Sequence, residues 1–143
     1  MDVLFLDANI FFSAVYSKVG GSNYLFQLAN KGLFSIVTSE YALKEAKINI
    51  EKKLGKEKLP DFYKLVVILT EVDSKKTTSR QLANLHKAIA MKDVPILASA
   101  INLKVDFLIT LDKKDFMGKK MEITDFPFEI VTPGTYLNTI LDA

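Results

Sequence analysis

The apolar residues of this chain come in two rhythms. Short runs read as strands: Val3-Leu4-Phe5-Leu6, Phe34-Ser35-Ile36-Val37, Phe107-Leu108-Ile109-Thr110 and Phe128-Glu129-Ile130-Val131. Glu71-Val72-Asp73 is a weaker strand candidate. Between these runs the apolar positions recur at helical spacing. Ser22 is placed to cap a helix through Tyr24, Leu25, Leu28 and Ala29 that stops at Gly32. A polar, surface-lying helix is expected from about Tyr41 to Leu54, stopped by Gly55. Pro60 suits the first turn of a helix bearing Phe62, Leu65, Val66 and Leu69. Leu82 to Ala90 forms another, with Leu82, Leu85 and Ile89 on one face, followed by a helix over Ile96–Leu103. Thr132-Pro133-Gly134 reads as a turn, after which Thr135 caps a closing helix with Tyr136, Leu137, Ile140 and Leu141. Strands alternating with helices imply an α/β fold with a parallel sheet covered on both faces.

Length and composition narrow this picture. A chain of 143 residues with no repeat, low-complexity tract or linker is expected to be a single domain, residues 1–143, able to bury one core. No apolar run is long enough for a membrane span. The start lacks the basic residues of a signal peptide, so a cytoplasmic location is expected. With no cysteine, disulfides, zinc–thiolate sites and thiol nucleophiles are excluded. His86, the only histidine, sits one step off an apolar helical face and reads as a partly exposed polar residue, not a ligand.

The net charge of +2 does not announce a nucleic-acid partner, but the lysines are clustered. Lys44, Lys47, Lys52, Lys53, Lys56 and Lys58 crowd one segment, and Lys113, Lys114, Lys119 and Lys120 another. Either group could be a solvated surface or a rim that tracks phosphates. Arg80 is the only arginine, which argues against bidentate reading of base edges in a groove.

Candidate chemistry lies in four acids. Asp7 ends the first strand, Asp112 follows the strand run Phe107–Thr110, Asp93 opens a helical stretch, and Glu45 lies within a helix. Singly, Asp93 could cap its helix, Asp112 could serve a turn, and Glu45 could be an exposed helical carboxylate. Asp7 is harder to explain away, because an unpaired carboxylate at the end of a buried strand is costly. In open α/β sheets, sites form beyond the carboxyl ends of the strands. Carboxylates crowded there repel, and a hard divalent cation such as Mg²⁺ or Mn²⁺ relieves the repulsion. Such an ion lowers the pKa of a water and neutralises charge developing on a phosphate, which points to phosphodiester hydrolysis.

The motifs around these acids resemble the PIN-domain family of metal-dependent ribonucleases, which includes the VapC-type toxins of toxin–antitoxin pairs. Leu6-Asp7-Ala8-Asn9-Ile10 is similar to the family's opening motif, with Asp7 in the place of the first acid. Ser39-Glu40-Tyr41-Ala42-Leu43-Lys44-Glu45 resembles the second, and Glu45 fits its acid better than Glu40. Asp93-Val94-Pro95-Ile96-Leu97-Ala98-Ser99-Ala100 is similar to the third, and Phe107 through Phe116 to the fourth, with Asp112 the acid. The ending Ile130-Val131-Thr132-Pro133-Gly134-Thr135-Tyr136-Leu137 is also typical. The resemblance spans nearly the whole chain.

It implies a three-layer α/β/α PIN-like fold, a five-stranded parallel sheet of order 3-2-1-4-5, and commonly a homodimer. It also implies a Mg²⁺- or Mn²⁺-dependent endoribonuclease acting on single-stranded RNA. Asp7, Asp93 and Asp112 would hold the metal, with Glu45 completing the pocket. Asn9, Ser39 and Thr110 would hold the carboxylates in place, and Asp115 would be an extra acid. Lys113 and Lys114 would draw in the RNA backbone. The role could be that of a toxin with an antitoxin partner, an RNA-processing nuclease outside such a pair, or a module that binds RNA or protein without cutting. A haloacid-dehalogenase-like phosphatase needs a second Asp two positions after the first, where this chain has Asn9. A response-regulator receiver needs an acidic pair near its first strand, which is not evident.

Overall fold

In a computed structural model describing residues 1–86, 91–112 and 126–141, five parallel strands form one sheet. They are β1 (Val3–Leu6), β2 (Ser35–Ser39), β3 (Glu71–Asp73), β4 (Phe107–Ile109) and β5 (Glu129–Val131). Their spatial order is β3-β2-β1-β4-β5, as the family resemblance implies. β1 is central, pairing Phe5 with Val37 of β2 and Leu6 with Ile109 of β4. Successive strand side chains point to opposite faces, yet Leu4, Phe5 and Leu6 are all fully buried. Both faces of the sheet are therefore covered, and each such side chain stabilises the fold by about 1.5–3 kcal/mol.

The helices of the described residues are α1 (Ala8–Tyr16), α2 (Gly21–Asn30), α3 (Glu40–Leu54), α4 (Leu59–Val66), α5 (Ser79–His86), α6 (Val94–Asn102) and α7 (Pro133–Leu141). The hydrophobic pattern above does not assign α1. Its core-facing residues Ile10, Phe11, Ala14 and Val15 form adjacent pairs one turn apart, so they blur into the apolar run of β1. α1 packs on α2 and α3, and Phe11 meets the rings of Phe26 and Phe62.

Several helix starts differ from the sequence expectation. Ser22 lies inside α2 and is buried; Gly20 occupies the cap position without a side-chain bond. α6 begins at Val94, ahead of the expected Ile96, because Pro95 fits a first turn that needs no proline N–H. Thr132-Pro133-Gly134 is no free turn: α7 starts at Pro133, and the Thr132 hydroxyl accepts the Thr135 amide at 3.2 Å. Thr132 therefore does the capping expected of Thr135. α3 does lie on the surface, but Ala42, Ala46 and Ile50 seat one stripe of it in the core. Leu69 falls beyond the end of α4, and Leu82 is half-exposed where Leu85 is buried. Ile89, Ala90 and the His86 side chain lie outside the described residues. No described helix is long and apolar enough to cross a membrane.

Candidate active site

The parallel sheet aligns the carboxyl ends of its strands, and the four acids gather there. Asp7, Glu45, Asp93 and Asp112 line one cleft of about 240 Å³, together with Asn9, Asn49, Lys53 and Lys92. Asp7 follows β1 directly in an extended conformation and caps α1, its Oδ1 accepting the Ala8 amide at 2.7 Å. Its own amide donates to the Ile109 carbonyl, which fixes it to β4. Glu45 stands on the exposed side of α3. Asp93 occupies the cap position of α6, with no side-chain bond to that helix's first amides. It is therefore not the simple helix cap that one reading of the sequence allowed. Asp112 lies beyond β4 and is solvent-exposed.

A hydrogen-bond network ties Asp7 to Asp112. The Thr110 hydroxyl donates to Asp7 Oδ2 at 2.8 Å and accepts the Asp112 amide at 3.1 Å. Asn9 Nδ2 donates to Asp112 Oδ2 at 3.1 Å, with a longer approach of 3.4 Å to Thr110 Oγ1. Asn9 Oδ1 takes the Leu111 amide at 3.2 Å. Both ends of the Asn9 side chain are thus used to hold the segment that carries Asp112. Ser39 behaves differently: its hydroxyl accepts the Ala42 amide at 3.1 Å, so it orients Glu45 through the start of α3 and not by touching a carboxylate.

Asp7 is a strongly perturbed acid of this cleft. Burial pushes its carboxyl up from 3.8 to about 6, against the Thr110 hydroxyl and Ala8 amide, which pull it down. The charges of Glu45 and Asp93 add to the rise. The same negative field reaches Tyr41, whose hydroxyl is pushed up by burial first and then by Glu45, Asp93 and Asp7.

The donor set is all oxygen, as a hard divalent ion requires. Among the described residues, no three acids stand close enough together to hold an ion as a ready-made group. Mg²⁺ is commonly held by only one or two carboxylates with water filling the rest of its shell, so the wider spacing still suits it.

Asn49 and Lys92 escaped the sequence reading, and Lys53 entered it only as one of a cluster of lysines, with no link to Glu45. Asn49 and Lys53 lie one and two helical turns beyond Glu45 on α3, and that i, i+4, i+8 spacing could have revealed them. Lys53 Nζ also lies 5.7 Å from the ring centre of Phe12. Lys92 gave no local signal beyond its place next to Asp93. Lys113, Lys114 and Asp115 lie outside the described residues.

No curated protein sequence matches the chain. Among solved structures, the fold is similar to a chain in the crystal structure of VapBC2 from Rickettsia felis bound to a DNA fragment from their promoter. The TM-score is 0.66 at 18% identity, covering 91% of this chain and 98% of that one, a likeness of fold alone. The PIN domain family model matches residues 3–114, a span that runs from β1 past Asp112 and contains all four acids of the cleft. By that match the chain belongs to the PIN-domain family.

Proposed function

We propose that this protein is a Mg²⁺- or Mn²⁺-dependent endoribonuclease that hydrolyses single-stranded RNA at the cleft of Asp7, Glu45, Asp93 and Asp112. PIN domains are generally nucleases, and they generally use divalent metals. The observation that carries the reading for this chain is the gathering of four carboxylates, from four separate segments, in one cleft. A carboxylate such as Asp7, raised first by burial and further by the charges of Glu45 and Asp93, gains from a cation.

Asp7, Asp93 and Asp112 would hold the ion, directly or through water, and Glu45 would orient the attacking water. A bound divalent cation would supply a more acidic water and neutralise charge developing on the scissile phosphate. Thr110 and Asn9 keep Asp7 and Asp112 in fixed orientation, so less reorganisation is needed when substrate arrives. Lys53 and Lys92 would meet the RNA backbone, joined by Lys113 and Lys114.

We assign the protein, by family resemblance, to the toxin side of a toxin–antitoxin pair, with an antitoxin protein as partner and a homodimer as its working form. The test is cleavage of a panel of single-stranded RNAs by the wild type and by Asp7→Asn, Glu45→Gln, Asp93→Asn and Asp112→Asn. Loss of cutting in each folded variant supports the site. RNA binding that persists in chelator, without cutting in any metal, would instead make the protein a binding module.

A further inference from the structure

A second cleft, of about 430 Å³, opens beside the first, where the ends of β2 and β3 meet the starts of α3 and α6. Tyr41, Asp73 and Ser99 form part of its wall, together with the exposed Glu40, Lys44, Lys75 and Lys76. A cavity of this size holds a small organic group. None of the acids of the first cleft lines it.

Asp73 is the unusual member. It ends β3, is 7% exposed, and its Oδ2 has no hydrogen-bond partner among the described residues. Its Oδ1 accepts the Lys75 amide over a long 3.3 Å. That bond alone would be served as well by an asparagine, without placing a charge in the interior. A buried carboxylate oxygen without a donor is costly, and the cost falls when a ligand brings an N–H. The weak tether to Lys75 lets the carboxylate turn toward such a donor.

The surrounding charges say what kind of ligand fits. Asp73 asks for N–H donors, whereas Lys44, Lys75 and Lys76 outnumber the one exposed carboxylate of the cleft, Glu40, and ask for negative charge. A nucleotide offers both. Guanine alone among the RNA bases presents two adjacent, parallel N–H donors, N1–H and N2–H, matched to the two oxygens of one carboxylate. Tyr41 is 43% exposed and offers a ring on which a base can stack. Its hydroxyl donates to the Lys92 carbonyl at 3.0 Å, and Lys92 lines the four-acid cleft, so the two clefts share a wall.

We propose that this second cleft is a base-recognition subsite in which Asp73 reads the Watson–Crick edge of a guanine next to the cleaved bond. The inference rests on the nuclease reading above for its setting, but base preference can be measured without cleavage. Wild-type protein in EDTA is titrated with short, fluorescein-labelled single-stranded RNAs that differ only at one central base: guanine, hypoxanthine (inosine) or adenine. The guanine RNA is expected to bind roughly tenfold tighter than the adenine RNA, with inosine, which lacks the N2 amine, between them. Asp73→Asn and Asp73→Ala should abolish the preference, and Asp7→Asn should keep it.

Equal affinity for the three RNAs, no binding of any of them, or a preference unchanged in folded Asp73 variants would overturn the inference. The base series uses intact protein, so it does not depend on how the Asp73 variants fold. A guanine preference in a protein that cuts nothing in Mn²⁺ would sink the nuclease reading and leave the subsite standing. Asp7-dependent cutting without any base preference would do the reverse.

Discussion

Thr110 holds Asp7 across two neighbouring parallel strands: its hydroxyl donates to Asp7 Oδ2 at 2.8 Å, from just beyond the end of β4. Thr110 is fully buried, so no water substitutes for it at this spot. Thr110→Val keeps the shape but removes both the donor to Asp7 and the acceptor for the Asp112 amide. The Asp7 carboxyl should then rise above its value of about 6, because the bond that lowers it is gone. Cleavage at neutral pH is expected to fall by about 10–100-fold, the usual effect of removing a group that orients a metal ligand. Circular dichroism should be unchanged, and an NMR titration of Asp7 would read the shift.

The raised carboxyl of Asp7 makes stability depend on pH in a defined direction. Its folded value of about 6 lies above the ordinary 3.8, so the folded state keeps the proton longer. The resulting stabilisation is present below the ordinary value and is lost as pH rises through about 6. The shift corresponds to at most about 3 kcal/mol. Metal-free Asp7→Asn should therefore melt several degrees above the wild type at pH 7.5 but close to it at pH 4. Thermal melts at the two pH values in EDTA check this; equal gains at both would contradict it.

Metal binding should show the same proton from the other side. An ion at Asp7 requires the carboxylate, so Mn²⁺ affinity is expected to weaken as pH drops below about 6, by up to about tenfold per pH unit. Calorimetric titrations across this range, in buffers of different ionisation enthalpy, would also count the released proton.

Asn9 is expected to act chiefly through Asp112, its contact with Thr110 being the longer one. Asn9→Ala removes the bond to Asp112 Oδ2 and frees the Leu111 amide. Activity should fall at least tenfold while stability changes by about 1 kcal/mol or less, since these bonds are partly exposed. Denaturant unfolding and cleavage rates, measured on one preparation, separate the two effects.

Lys53 should contribute to binding and not to chemistry. Lys53→Ala is expected to raise KM for RNA several-fold, leave kcat near the wild-type value, and lower the slope of log affinity against log salt by about 0.7. Because Lys53 also lies against Phe12, Lys53→Met is the control that keeps the packing and loses the charge.

Much of this was legible in the sequence because the features that build the site are local. Asp7, Asp112 and their strands could be found from apolar runs that end in an acid, and the family resemblance supplied the sheet order. Ser22 and Thr135 read as caps but do not cap, because a hydroxyl residue near a helix start does not say which residue the backbone leaves extended. α1 was missed because its buried pairs merge with β1 into one apolar stretch. Asp73 gives no such signal for a different reason. A three-residue edge strand gives little signal, and only the folded chain reveals that its terminal carboxylate is buried beside a cleft. Long-range bonds such as Asn9 to Asp112 join residues 103 positions apart and leave no trace in spacing.

The most direct test of the central claim is cleavage of end-labelled single-stranded RNAs by purified protein in Mn²⁺ or Mg²⁺, set beside EDTA and Asp7→Asn. The four-acid reading requires cutting that disappears in EDTA, returns when metal is restored, and is absent in a folded Asp7→Asn protein. Cutting that survives either the chelator or the substitution would contradict it.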